Sequence, residues 1–247
     1  MGERIGWVIG GGTGIGLGIA RALADDGYDV FITGRRANVL EEAVAAYAGA
    51  AARGGNGSLV AAPGDVTSEA DLARVMEQIA VRDGVLKVVA VSSGTNIPHR
   101  TLGDTTSDEW RMLLDVNATG TFLVMKQVLP VLKDAGGGLI VNISSISGIR
   151  SLTIGGVGYC ASKFATSSLG IYAGNELAEH GIRVTNIYPG EVNTPILDKR
   201  AVPPPPERRE QMVQPEDIGA IVALIARFPA TTHVSELVVK PLYQELV

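Results

Sequence analysis

Tyr159 and Lys163 are the residues of this chain best spaced for acid–base chemistry. Of six tyrosines, only Tyr159 has a lysine four residues later, in Tyr159-Cys160-Ala161-Ser162-Lys163. On a helix, positions four apart share one face, so the phenol and the ammonium would point the same way. A tyrosine ionises near pH ~10, and a fixed positive charge beside it favours the phenolate. Lowering it by about three units takes roughly 4 kcal/mol of differential interaction. Such a phenol passes a proton to or from an alcohol at neutral pH. Taken alone, the spacing also fits a surface lysine one turn after a packed tyrosine. Ser145 precedes Tyr159 by fourteen residues, and a strand-end serine and a following helix can present both hydroxyls to one cavity.

The elements that must position these groups begin at the N-terminus. Ile5 to Ile9 reads as a buried strand, followed by Gly10-Gly11-Gly12-Thr13-Gly14-Ile15-Gly16 and a helical pattern of Ile15, Ile19, Ala22 and Leu23. A strand, glycine turn and helix in that order suit a dinucleotide, whose pyrophosphate sits on the N–H groups of the helix start. Val30 to Thr33 is the second strand and ends in Gly34-Arg35-Arg36. A carboxylate at this strand end holds the ribose of NAD, whereas an arginine accommodates the 2′-phosphate of NADP. Arg35 therefore favours NADP over NAD.

Alternation continues along the chain. Ala37 to Arg53 is helical by composition and Gly54 to Gly57 is a turn. A third strand covers Ser58 to Ala62, and Asp65 after it either contacts an adenine amino group or closes a turn. Ser68 and Asp71 resemble a capping box for a helix from Glu69 to Arg82. Leu86 to Val91 is the fourth strand, opening onto Ser92-Ser93-Gly94. Thr106 to Leu132 is one long helical stretch with Asn117 inside it, marking a kink with a freed carbonyl or an exposed polar side chain. Leu139 to Ser144 is the fifth strand, Tyr159 to His180 a helix, and Arg183 to Tyr188 the sixth strand. Glu191 to Gln214 is irregular and is the expected lid over a substrate pocket. A last helix starts at Pro215, and Glu236 to Val239 is the seventh strand. The pattern predicts an α/β fold: a doubly wound, Rossmann-type parallel sheet in one domain over residues 1–247, with helices on both faces. Ligands in such sheets bind outside the carboxyl ends of the strands.

Composition narrows the setting. The net charge is −5 with acids and bases dispersed, which gives no nucleic-acid footprint. One cysteine excludes an intramolecular disulfide and fits an intracellular site. The start of the chain lacks a signal-peptide layout, and no apolar run reaches the ~18 residues that span a bilayer. The expectation is a cytoplasmic protein without a membrane partner. His99, His180 and His233 are scattered, and no metal site is expected.

With these residues in order, the chain resembles the short-chain dehydrogenase/reductase family, in its compact single-domain branch. The matching stretches are Gly10 to Gly16, Asp65-Val66, Asn117, Asn142 to Gly148, Tyr159 to Lys163, and Arg183 to Thr194. The resemblance implies an oxidoreductase that interconverts a carbonyl and a secondary alcohol. Tyr159 would be the general acid/base, with Lys163 lowering its pKa and holding the nicotinamide ribose. Ser145 would position the carbonyl oxygen, and Asn117 would sustain a water relay to the lysine. The cofactor would lie along Gly10, Gly12, Thr13, Gly14, Ile15, Gly16, Arg35, Arg36, Asp65, Val66, Ser93, Gly94, Pro189, Gly190, Val192 and Thr194, besides Tyr159 and Lys163. The resemblance also implies a homodimer or homotetramer. The segment Val234 to Pro241 looks closer to relatives acting on 3-hydroxy acids or small hydroxy compounds. The competing reading is a dinucleotide-binding regulator without chemistry, which would be expected to have lost Tyr or Lys.

Overall fold

The chain's Val- and Ile-rich runs are too uniformly apolar to leave a face in water, and they stack as parallel strands covered on both sides. The computed structural model describes residues 3–51, 57–200 and 202–245. Its strands are β1 (Glu3–Ile9), β2 (Tyr28–Thr33), β3 (Ser58–Ala61), β4 (Gly84–Val91), β5 (Gly138–Ile143), β6 (Ile182–Pro189) and β7 (Glu236–Val239). They form one sheet in the order β3-β2-β1-β4-β5-β6-β7, with every pairing parallel. The order reverses between β1 and β4, which opens a crevice above their carboxyl ends.

The helices are α1 (Gly14–Asp25), α2 (Ala37–Ala51), α3 (Glu69–Ala80), α4 (Ser107–Leu114), α5 (Gly120–Asp134), α6 (Val157–Leu177), α7 (Pro206–Glu210) and α8 (Pro215–Arg227). Trp7 and Ile9 of β1 join one buried cluster with Leu72, Val128 and Val184. Val8 faces the other cluster, with Ile19, Leu40 and Ile218. The sheet is thus doubly covered, as its alternating pattern predicts. Trp7 Nε1 donates to Thr33 Oγ1 at 2.8 Å, satisfying both polar atoms in the core between β1 and β2.

Two expectations change, and a third falls partly outside the described residues. The helix predicted to end at Arg53 extends to Ala51, and residues 52–56 of that helix and the following turn lie outside the described residues. The long helix over Thr106–Leu132 is two helices joined by a wide turn at Asp115–Thr119, where the Gly120 N–H donates to the Asp115 carbonyl five residues back. One extra residue per turn is what places Asn117 inward, fully buried. The Glu191–Gln214 segment is not irregular throughout. It holds a 3₁₀ turn at Pro195–Lys199, the helix α7 and a bridge between Val192 and Val213. Pro205 and Pro206 start α7, since proline's fixed φ suits a first helical turn. Among the described residues no helix is long and apolar enough to cross a membrane.

Candidate active site

The carboxyl ends of β1, β2, β4, β5 and β6 converge on a cleft of about 1050 Å³, at the upper end of ordinary ligand pockets. Gly10, Gly12, Thr13, Gly14 and Ile15 line it from the first turn, and Arg35 and Arg36 from the end of β2. Asp65 and Val66 line it after β3, Ser93 and Gly94 after β4, and Ser145 after β5. Tyr159 and Lys163 line it from α6, and Pro189, Gly190, Val192 and Thr194 after β6. Two expected residues stand outside it. Gly16 packs against the first turn, where an added Cβ would lie 2.1 Å from the Gly10 carbonyl oxygen. Asn117 sits behind the cleft wall.

The first turn is held by the Gly10 and Gly11 N–H groups, which both donate to the Thr33 carbonyl at 2.8 and 3.2 Å. Gly10 and Gly14 have φ of +80° and +54°, a region costly for other residues. The start of α1 has no side-chain cap and no acid in its first turn, whereas Ser68 caps α3 and a Thr106–Glu109 box caps α4. The N–H groups at the cleft end of α1 are therefore left for an anion, which fits a dinucleotide pyrophosphate. Of the two readings of Asp65, the structure shows a closed turn: its Oδ1 accepts from Thr67 N at 2.9 Å and Thr67 Oγ1 at 2.8 Å.

The helix α6 brings the Lys163 Nζ to 5.8 Å from the centre of the Tyr159 ring, so the two share a face as their spacing predicts. Lys163 is 4% exposed, and its ammonium donates to the Ile143 carbonyl at 2.8 Å. Burial pushes it down to about 8. The spacing predicts a Tyr159 phenol lowered by Lys163; the structure shows the opposite direction. Burial pushes the phenol up, the hydrogen bond with Ser145 is the largest opposing influence, and the cations that favour the phenolate are Arg100 and Arg200. The ammonium is engaged with a β5 carbonyl instead. Ser145 Oγ also accepts from Ser147 N at 3.1 Å, which fixes the hydroxyl over the end of β5.

Asn117 braces the floor. Its Oδ1 accepts from Thr95 N at 2.8 Å, and its Nδ2 donates to the Thr95 carbonyl at 3.1 Å and to Ser162 Oγ at 2.9 Å. Its carbonyl, released by the wide turn, accepts from Thr121 Oγ1 at 2.8 Å and Thr166 Oγ1 at 3.0 Å. This one residue ties the loop after β4 to α6. Sequence reasoning did not single out Arg100, Arg200 and Glu191, because their place depends on loop paths; the signals were that Glu191 and Arg200 fall in the expected lid and Arg100 in the stretch after β4.

A family profile described as short chain dehydrogenase matches residues 4–203. An uncharacterized oxidoreductase of Staphylococcus aureus strain MRSA252 is 31% identical over 242 residues, with 97% of each chain covered. Among solved structures, an alcohol dehydrogenase of the archaeon Thermococcus sibiricus, complexed with 5-hydroxy-NADP, superposes with a TM-score of 0.84 at 25% identity, covering 98% of each chain. The actinorhodin polyketide ketoreductase with NADPH superposes with a TM-score of 0.83 at 26% identity, covering 96% of this chain and 95% of its own.

Proposed function

The chain belongs to the short-chain dehydrogenase family, and from that premise we propose that it interconverts a carbonyl and a secondary alcohol, using NADP(H) in preference to NAD(H). The observation that carries this reading is that Tyr159, Ser145 and Lys163 line one cleft whose other end carries an uncapped helix start. The dinucleotide, when bound, supplies the hydride in reduction and accepts it in oxidation. Ser145 and Tyr159 hold the carbonyl oxygen between two hydroxyl donors, where charge develops as the carbonyl carbon is reduced. Tyr159 Oη gives that oxygen its proton, and the product is the alcohol. Lys163 lies one helical turn away, beside Gly94, where an added Cβ would stand 3.7 Å from Nζ. Asn117 is a positioning residue: its carbonyl already serves two threonine hydroxyls, so we assign it to bracing rather than to a water relay.

Arg35 and Arg36 are exposed at the end of β2 with no acid in the first turn of α2, which suits a 2′-phosphate. The NADP derivative and NADPH held by the two structural relatives support the same preference. Residues 191–214 form the lid. Phe122 on α5 and Phe164, Ile171 and Tyr172 on α6 are exposed, which supports a homodimer or homotetramer assembled through these helices. Light scattering is expected to return a multiple of 25.8 kDa, and a monomer alone contradicts that assembly.

The test of the chemistry is Tyr159→Phe. Turnover of a ketone or aldehyde substrate is expected to fall by about 10³-fold, with NADPH affinity within about twofold of wild type. Full turnover in this variant removes Tyr159 from the mechanism. Intact NADPH binding with no turnover by wild type on any carbonyl would favour the regulator reading.

A further inference from the structure

The chain after β7 turns back to the cleft, and none of it has a part in the chemistry above. Gln244 lines the cleft together with Gly190 and Glu191, which follow directly on β6. The turn is closed by Gln244 N, which donates to the Pro241 carbonyl at 3.1 Å. Gly190 is bare where this segment arrives: an added Cβ would stand 2.2 Å from Gln244 Oε1 and 2.9 Å from Lys240 Cβ. Gln244 therefore sits on Gly190 at a distance that only glycine permits.

Glu191 builds the rest of the seat. Its N–H donates to Gln244 Oε1 at 2.9 Å. Its carboxylate accepts from the Tyr243 hydroxyl at 2.9 Å and pairs with Arg200 at 2.9 Å and Arg208 at 3.2 Å. The Arg208 guanidinium lies 3.7 Å from the centre of the Tyr243 ring. Burial alone would raise the Glu191 carboxyl, but its bonds to Arg200 and Tyr243 outweigh that and hold it below the usual carboxylate range. One charged carboxylate thus ties the segment after β7 to the Pro195–Lys199 turn and to α7.

This bonding leaves one group over. A carboxamide has one acceptor oxygen and an NH₂ with two donors. A backbone N–H only donates, so the atom that faces Glu191 N is the oxygen, and chemistry fixes which way the amide lies. Among the described residues Gln244 Nε2 has no hydrogen-bond partner, and it is open to solvent. Strand order places this donor. β6 lies beside β5, whose end carries Ser145, and neighbouring strands stand about 4.8 Å apart. Arg35 and Arg36 follow β2, beyond β1 and β4. Arg200, bonded to the same Glu191, is near enough for its charge to act on the Tyr159 hydroxyl. The free N–H donors therefore belong to the reacting end of the cleft. Leu152, Ile154, Ile196 and Leu197 line the cleft with apolar surface. Arg200 and Arg208 are engaged by Glu191, so the donor left over is a neutral one.

We propose that Gln244 is a specificity-determining residue that donates from Nε2 to a second, uncharged oxygen of the substrate, so that the carbonyl reduced at Tyr159 belongs to a short alkoxy- or hydroxyketone. Glu191 is the positioning residue that seats it. This rests on the reductase reading above and narrows it to a substrate class.

The experiment compares kcat/KM for ketone pairs in which an ether oxygen replaces a methylene: methoxyacetone against pentan-2-one, and 4-methoxybutan-2-one against hexan-2-one. An ether oxygen only accepts, so it reports on a donor. An oxygen beside the carbonyl also activates it, so the readout is the change in the ether-to-alkyl ratio between wild type and variants. Gln244→Glu keeps an acceptor for the Glu191 N–H and loses the donors. Gln244→Met loses both, and Tyr243→Phe removes the phenol bond to Glu191 while keeping the ring beside Arg208. Circular dichroism and NADPH affinity check fold and cofactor site. The ratio is expected to fall roughly three- to tenfold in both Gln244 variants, through KM, the span of one neutral hydrogen bond. Tyr243→Phe is expected to give a smaller fall in the same direction. A merely structural role lowers both members of a pair alike, so an unchanged ratio in Gln244→Glu overturns the contact and leaves the reductase standing. A loss of NADPH affinity of about tenfold or more in Gln244→Glu also overturns it, because the amide then serves the cofactor. If neither member of either pair is turned over while NADPH binds, the reductase reading fails, and the contact is decided by ligand-observed NMR titration of the NADPH complex with the same pairs. An ether preference that is lost in both Gln244 variants supports it; equal binding of ether and alkyl members, or none of either, overturns it.

Discussion

Replacing Lys163 by methionine removes a charge that the fold holds at a cost, and that cost has a pH signature. The ammonium is 4% exposed and ionises at about 8 in the folded protein instead of 10.5. At about 1.36 kcal/mol per unit, folding around the protonated lysine costs about 3 kcal/mol. The sign follows from proton counting. Between pH 8 and 10.5 the unfolded chain carries the Lys163 proton and the folded chain does not, so stability rises with pH across that window. The full cost is present below the folded value and disappears above the unfolded one. Integrated over this titration, wild type should gain about 2.5 kcal/mol relative to Lys163→Met between about pH 7 and pH 10. The measurement is urea unfolding of both proteins at each pH and one fixed protomer concentration, since assembly shifts apparent stability. Tyr47, raised to about 12 by burial and its bond to Asp25, titrates in both proteins and cancels in the difference. A difference that stays flat, or that shrinks as pH rises, refutes the idea that burial depresses this lysine.

Two further predictions concern positions away from the proton transfer. Arg35→Ala should weaken NADPH by about tenfold or more while leaving NADH nearly unchanged, with the NADPH loss shrinking in high salt because Arg35 is exposed. Equal losses, read by fluorescence titration, would make the arginine a solvated helix start. Gly170→Ala should cost roughly 3 kcal/mol in urea unfolding, because its Cβ would stand 1.9 Å from Asn186 Oδ1 and 2.7 Å from Asn142 Nδ2. Unchanged stability would mean that α6 can lift off the sheet without loss.

Much of this architecture was legible because the signals are local. Short apolar runs gave all seven strands, and Gly10 to Gly16 announced the first turn through its spacing. Tyr159 and Lys163 announced themselves because a helix fixes the relation between positions four apart. What was not legible depends on contacts far apart in the chain. Asn142 Nδ2 donates to Asn186 Oδ1 at 2.7 Å across β5 and β6, beneath Gly170, and no local pattern pairs those two asparagines. Asn117 was only half legible. A mid-helix asparagine signals a break, but whether its side chain faces solvent or the loop after β4 depends on the wide turn. Arg100 and Arg200 were invisible as a pair, being a hundred residues apart on two loops.

Those loop arginines change the electrostatic argument that the Tyr159–Lys163 spacing alone suggests. Burial pushes the phenol up and the ammonium down, so the phenol is held in its protonated form beside a lysine that still carries its charge below about pH 8. A protonated phenol is the acid that reduction consumes, so this bias holds the proton ready in the reductive direction; oxidation must first remove it. Arg100 and Arg200 are the cations that pull the other way.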